Sequence, residues 1–97
     1  MSAGGDDFAK QVFIHDGKII IIGQTMIAGL SKVFILRLTS NGRLDTTFNS
    51  VGYKIYSQGS NNDLVVGAAI DSLNRLVLMT GSSNGSTVGI SLMRIFL

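Results

Sequence analysis

Residues Val33–Phe48 read V-F-I-L-R-L-T-S-N-G-R-L-D-T-T-F, and this stretch decides the fold. It begins as an apolar run with strand character, turns at Asn41-Gly42 and ends in a polar Asp-Thr-Thr-Phe corner. Its first half returns near the end of the sequence as Ile90–Ile95, which reads I-S-L-M-R-I. This return indicates a tandem repeat of short strands.

A shift of 57 residues places residues 1–40 on residues 58–97 without a gap. Few of the superimposed residues are identical, so the repeat is inferred from residue class and register. A period in this range with about four short strands is typical of a β-propeller blade or a comparable β array. The pairs that match by class or identity are Asp6 with Asp63, Gly17 with Asn74, Lys18 with Arg75, and Arg37 with Arg94.

The fold class predicted from this pattern is all-β, with two tandem propeller-like blades of antiparallel strands and about seven strands in total. In this interpretation residues 1–97 form a single β-repeat domain. The first repeat spans about residues 6–57, and the second, incomplete repeat spans about residues 63–97. We expect four strands in the first blade and three in the second.

Local signals place the elements of the first repeat. Asp16-Gly17 predicts a tight hairpin, because a type I′ turn needs positive φ at both central residues. The predicted strands are Phe8–His15, Lys18–Gly23, Val33–Thr39 and Val51–Ser57. The segments predicted to be loops or loosely held are residues 1–7, Gln24–Lys32, residues 58–62 and Gly81–Thr87.

Side-chain patterns predict which strand faces are covered. Four consecutive isoleucines, Ile19–Ile22, imply a strand covered on both sides, so we expect both Ile20 and Ile21 to be buried. The last strand of the repeat alternates like an edge strand, with Lys54 and Tyr56 on a wet face. In the first strand, the residues expected on one side are Phe8, Val12 and Ile14, with Phe13 on the other.

Composition narrows the classes of function. Apolar residues make up 45% of the chain and charged residues 14%, which predicts a packed core and not a disordered segment. A net charge of +2, with basic residues scattered along the chain, gives no reason to expect a nucleic-acid partner. With no cysteine, the chain has no disulfide or thiolate metal site. We also see no signal peptide and no membrane-spanning segment, so we expect a soluble protein of unknown location.

Three motifs in order carry a resemblance to a known family. They are Asp16–Gly23, Phe34–Leu38 and Asn41–Phe48. Together they resemble the delta-60 repeat, whose pattern is close to D-G-K-I-L-V-A-G, then F-x-L-x-R-L, then D-G-x-L-D-T-T-F-G-x-x-G. The resemblance covers nearly all of residues 8–52, and Gly52 stands where the last glycine of the pattern falls. It implies a bacterial β-propeller-like array of repeats without established catalytic residues.

Three candidate residue groups each have a structural alternative. His15 is the only histidine and has no nucleophile motif near it, which favours a residue at a strand end beside a turn. Asp45-Thr46-Thr47 could offer oxygen ligands to a cation, but one carboxylate is a weak calcium site. A turn capped by Asp45, with Phe48 inserted into the core, is the favoured interpretation.

The two strand arginines could line a channel and hold a carboxylate ligand. The favoured alternative is structural, because a half-buried guanidinium needs a partner. Arg37 and Arg94 should each pair with an aspartate such as Asp45 or with strand-end carbonyls. We therefore predict no catalytic, cofactor-binding or metal-binding residues.

The function expected from these observations is a non-catalytic structural or interaction module of a β-propeller-like repeat protein. Its first partner should be another copy or a neighbouring repeat, because two blades cannot close a ring. The alternative is a carbohydrate-binding lectin assembled from two-blade chains, with a glycan as partner. Sugar sites commonly use exposed aromatic rings, and this chain has no tryptophan and only Tyr53 and Tyr56.

Overall fold

The computed structural model describes residues 7–56, 62–83 and 88–97. These residues form two antiparallel sheets, one of four strands in the order β1-β2-β3-β4 and one of three in the order β5-β6-β7. The all-β prediction of two blade-like sheets, with four strands and then three, is confirmed. The strands are β1 (Asp7–His15), β2 (Lys18–Ile27), β3 (Leu30–Leu38), β4 (Tyr53–Tyr56), β5 (Asn62–Ile70), β6 (Arg75–Ser83) and β7 (Val88–Phe96).

Tight turns connect the first three strands. Asp16 and Gly17 have φ angles of 51° and 76°, which confirms the predicted hairpin. The loop predicted over Gln24–Lys32 is wrong, because β2 and β3 continue through most of it and meet at a second hairpin. Ala28 and Gly29 form its turn, with φ angles of 52° and 80°. An alanine in this left-handed conformation is uncommon, so this turn carries no recognisable signal in the sequence.

Other predicted boundaries also shift. Asp7 begins β1 and Asn62 begins β5, although both were assigned to polar segments. Gly81–Ser83 is the last part of β6 and not a loop, while residues 84–87 lie outside the described residues, as do residues 1–6 and 57–61. The predicted edge strand is confirmed as β4 but is shorter than expected, beginning at Tyr53.

The two sheets repeat each other with one offset. Ile21 pairs with Leu36 in the first sheet, and the residues 57 positions later, Leu78 and Met93, pair in the second. The β5–β6 turn is one residue longer than the β1–β2 turn, because Ile14 pairs with Ile19 whereas Ile70 pairs with Leu76. The offset between β1 and β5 is therefore 56 residues, and the gapless superposition is wrong over this strand.

Each first strand also contains a β-bulge. The register shifts between Ala9 and Gln11 in β1, and between Val65 and Gly67 in β5. These are equivalent positions once the offset of 56 is applied. The bulge places Phe8 opposite Gln24, which lies on the same side of the sheet as Ile22. Phe8 is thus on the Phe13 side, and its predicted place beside Val12 and Ile14 is wrong.

The core lies between the two sheets. Its fully buried side chains come from β2, β3 and β6, and Phe48 from the corner joins them. Ile20 is fully buried, but Ile21 is only half-buried, so the prediction that both are buried is wrong for Ile21. Tyr56 also departs from the predicted wet face, because it packs against this core. The core cluster consists of Ile20, Ile22, Val33, Ile35, Phe48, Leu76 and Leu78.

Polar contacts join the sheets beside this core. The Lys32 ammonium lies 3.5 Å from the Asp63 carboxylate, and both side chains are almost fully buried. The Gln24 side-chain carbonyl accepts a hydrogen bond from the Val65 backbone N–H at 3.1 Å. The Ser31 hydroxyl donates to the Asp63 backbone carbonyl at 2.8 Å. These contacts fix the register of one sheet on the other.

The described residues contain no helix, and hence none that could cross a membrane.

Candidate functional site

The Asp-Thr-Thr-Phe corner is built around the buried carboxylate of Asp45. Its Oδ1 accepts hydrogen bonds from the Thr47 backbone N–H at 3.1 Å and from the Thr47 hydroxyl at 2.6 Å. Its Oδ2 lies 2.9 Å from Lys18 Nζ and 3.0 Å from Arg37 Nε. Only 4% of the side chain is exposed. Both carboxylate oxygens are therefore engaged within the chain.

This arrangement confirms the structural interpretation of the corner. The Asp45 side chain closes a two-residue turn onto Thr47, and the Asp45 carbonyl accepts a hydrogen bond from the Phe48 N–H at 3.0 Å. Phe48 is thereby directed into the core, where it is 7% exposed. The Arg37 guanidinium lies 5.0 Å from the centroid of the Phe48 ring. Two cations already occupy the side of Asp45 that a metal ion would need.

Gly52 is the last glycine of the corner pattern, and its backbone conformation explains why a glycine is found there. Its φ is 92°, in the left-handed region, and its N–H donates to the Phe48 carbonyl at 2.8 Å. Its carbonyl accepts from the Arg37 N–H at 2.8 Å. The chain leaving the corner is thus tied back to the strand that enters it.

The second arginine behaves differently from the first. Arg94 occupies in β7 the register position of Arg37, since they pair with Val77 and Ile20 respectively. It is exposed, and within the described part of the chain no carboxylate pairs with it. Among the described residues, the predicted pairing of Arg94 with an aspartate is therefore wrong.

The β5–β6 turn contains a second engaged aspartate. Asp71 Oδ1 accepts from the backbone N–H groups of Leu73 and Arg75, both at 2.9 Å, and Asp71 Oδ2 lies 2.8 Å from Arg75 Nε. These contacts hold the pKa of Asp71 below its ordinary value, the backbone hydrogen bond from Arg75 being the largest cause. Asp71 is a capping residue of the turn, and sequence reasoning did not single it out.

Acid should weaken the fold through these two carboxylates. The Thr47 hydroxyl and then Lys18 hold the pKa of Asp45 well below its ordinary 3.8. A carboxylate with a lowered folded-state pKa stabilises the fold above its unfolded pKa, and this contribution is lost as the pH falls below it. We expect the Tm to be nearly constant from neutral pH down to about 5 and to fall below about 4.

The check is a series of thermal melts across this range with wild type and Asp45→Asn. The variant starts from a lower Tm, because it lacks the charge, but should lose less on acidification. Equal losses in the two proteins would mean that Asp45 is not responsible.

His15 lies at the end of β1, paired with Lys18 across the turn, as the structural interpretation predicts. It is half-buried. In the ranges that the structure describes, no group of three or more histidine, aspartate or glutamate side chains comes together. Within these ranges, His15 therefore belongs to no such metal-binding group.

A cleft of about 400 Å³ opens beside the corner. Arg37, Lys54 and Tyr56 line it from the first sheet, and Ile95 and Phe96 line it from β7. The Lys54 ammonium is 5.0 Å from the centroid of the Tyr56 ring, and burial raises the pKa of that tyrosine. Phe96 is 79% exposed. Aromatic and cationic groups in one cleft can receive a small polar or anionic ligand.

The outer side of the first sheet, which we call the front face, is apolar along β1 and β2. Val12 and Ile14 are 58% and 72% exposed there. Their cross-strand partners, Ile21 and Ile19, are half-buried on the same side. Leu36 of β3 also belongs to the front face, but it is buried, with 9% of its surface exposed.

The outer side of the second sheet, which we call the back face, is also apolar. It consists of Val77 and Met79 on β6 and of Ile90 and Leu92 on β7. Ile90 and Leu92 are 69% and 58% exposed, and Met79 is 39% exposed. A groove of about 330 Å³ crosses the back face. The molecule thus presents two apolar sheet faces on opposite sides, an amount of exposed apolar surface that marks interaction sites.

The two stacked sheets are propeller-like blades in tandem, and the aspartate corner lies between β3 and β4 of the first. Residues 15–48 match a family model described as Domain of unknown function (DUF5122) beta-propeller. This segment, about a third of the chain, runs from the end of β1 through the corner to Phe48, and it is similar to that family. No curated protein and no solved structure matched the chain.

Proposed function

We propose that this chain is a non-catalytic interaction module of a delta-60-type, β-propeller-like repeat protein, and that its first partner is another copy of itself. The observation that carries this proposal is the pair of exposed apolar faces, front and back. Sheets of this kind are ordinarily covered on both sides by neighbouring sheets. Here neither the front face nor the back face is covered by the other sheet of the chain.

The polar side chains of the corner are already paired within the chain, which supports a non-catalytic role. Asp45 has the most strongly lowered pKa in the described chain, yet Thr47, Lys18 and Arg37 occupy both of its oxygens. A general acid or base needs a free position toward a substrate. The basic residues are scattered along the sequence, so neither nucleic acid nor a membrane is among the partners we propose.

The test is the mass in solution as a function of concentration. Light scattering on the eluting peak should give a mass above 10.3 kDa that rises with concentration from the low micromolar range upward. Apolar association of exposed sheet faces is the physical reason. A mass of 10.3 kDa that stays constant up to near-millimolar concentration would overturn the proposal.

The alternative function, a carbohydrate-binding lectin, is supported by the cleft beside the corner. Its exposed Phe96 ring and the half-buried Tyr56 could stack on a sugar, with Lys54 and Asn49 as hydrogen-bonding groups. A glycan array separates the two functions. Binding that Phe96→Ala abolishes would favour the lectin, whereas a blank array with a concentration-dependent mass would favour self-association.

A further inference from the structure

The two sheets of the chain pack on each other through sides that are not equivalent in the repeat. The first sheet packs through Ile20 and Ile22, and the second through Leu76 and Leu78. By strand pairing, the residues equivalent to Ile20 and Ile22 are Val77 and Met79. These lie on the opposite side of β6 from Leu76 and Leu78. Sheet packing within the chain is therefore head-to-tail: one side of the repeat meets the other side of the next repeat.

Each free face consequently repeats a face that is already packed. The back face repeats the packed side of the first sheet, and the front face repeats the packed side of the second. The residues named below are apolar at both equivalent positions, whereas Arg94 beside Val77 on the back face repeats Arg37. On the back face Val77, Met79, Ile90 and Leu92 correspond to Ile20, Ile22, Val33 and Ile35; on the front face Val12, Ile14, Ile19, Ile21 and Leu36 correspond to Ala68, Ile70, Leu76, Leu78 and Met93.

We infer that the back face of one copy packs on the front face of a second copy, in the same geometry by which the first sheet packs on the second. The partner is a second copy because the contact within the chain already shows which sheet surface fits each face. The inference deepens the proposed self-association and rests on it. A head-to-tail contact of this kind leaves one free face at each end, so it extends until the copies close a ring.

The contact between copies differs from the one within the chain in polarity. The side chains of Gln24 and Lys32, which bond across the inner contact, are replaced at the equivalent positions of the second sheet by Gly81 and Gly89. Asp7, the equivalent of Asp63 on the front face, already accepts a hydrogen bond from the hydroxyl of Thr25 in its own sheet. The contact between copies therefore has fewer polar links than the inner one, with Arg94 beside Val77 as a charged group on the back face, and added salt should not dissociate it.

A mixing experiment tests the pairing of faces. Val12→Asp places a charge on the front face and Leu92→Asp places one on the back face. Both side chains are 58% exposed, so neither substitution disturbs the core. Leu73→Asp, at a turn residue that is 66% exposed and lies on neither face, is the matched control. Circular dichroism verifies that all three variants fold.

Each of the two face variants alone should be a monomer of about 10.3 kDa, while Leu73→Asp should associate like wild type. An equal mixture of the face variants should form a 1:1 heterodimer of twice that mass, through the one intact front face and the one intact back face. Self-association of either face variant alone, or a mixture that stays monomeric, would overturn the head-to-tail pairing while leaving self-association intact. A monomeric wild type would instead overturn the proposed function itself.

Cross-linking gives a second readout at residue level. Within the chain, the Gln11 side chain donates to the Ala68 carbonyl at 3.4 Å. The equivalent positions across copies are Gly67 on the back face and Val12 on the front face. Because the chain has no cysteine, Gly67→Cys mixed with Val12→Cys should give a cross-linked heterodimer with a short bis-maleimide. A yield no higher than that of Gly67→Cys mixed with Leu73→Cys would overturn the inference.

Discussion

Gly23→Ala should unfold the protein or bring it close to unfolding. A Cβ at residue 23 would lie 1.9 Å from the Phe8 carbonyl oxygen and 2.8 Å from the nearest atom of the Phe34 ring. The oxygen belongs to the backbone of β1 beside its bulge, so β1 would have to separate from β2 to make room. The Phe34 ring is 4% exposed and also has little freedom to move.

We expect this substitution to cost about 3 kcal/mol or more. For a chain of this length, that lowers the Tm by about 12–24 °C in a thermal melt followed by circular dichroism. Gly89→Ala is the matched control, because a Cβ at that strand position meets no atom within 4 Å. A Gly23→Ala protein as stable as wild type would show that β1 can follow the path of β5, where Thr80 occupies the equivalent position.

Asp45→Ala should produce the second large loss. It removes the carboxylate that pairs Arg37, whose side chain is only 13% exposed, and it opens the turn that directs Phe48 into the core. Removing one partner of a largely buried ion pair leaves the other charge uncompensated. We expect the Tm to fall by about 10 °C or more.

The control for this corner is Asp71→Ala. Asp71 caps a turn and pairs with Arg75 in much the same way, but the two side chains are 22% and 25% exposed, so solvent screens the pair. Its Tm should fall by less than half as much as that of Asp45→Ala. Neither variant should lose self-association as long as it is folded. An Asp45→Ala protein that melts like wild type would contradict the structural role of the corner.

Much of the fold could be predicted from the sequence because the signals are local. Asp16-Gly17 specifies its own turn through positive φ, and Asp45 specifies its own cap through a side chain that reaches Thr47. The 57-residue period survives in β2, β3, β6 and β7 because sheet register depends on apolar class more than on identity.

The failures come from features that carry no residue signature. Ala28 adopts a conformation that alanine rarely adopts, so a hairpin resembled a loop. The bulge at Lys10 moves Phe8 to the other side of the sheet. Bulges depend on strand pairing and not on amino-acid composition. Ile21 is half-buried because the second sheet packs on the other side of β2. That last failure is the one that leads to the proposed association.

We propose that other copies of the chain cover the front and back faces. Methyl NMR spectra recorded from low micromolar to near-millimolar concentration test it most directly, because the same sample contains its own controls. The methyl groups of Ile14, Met79 and Ile90 should shift or broaden with concentration, and those of Ile20 and Ile22 in the core should be affected least. Methyl spectra that do not change with concentration at Ile14, Met79 and Ile90 would contradict it.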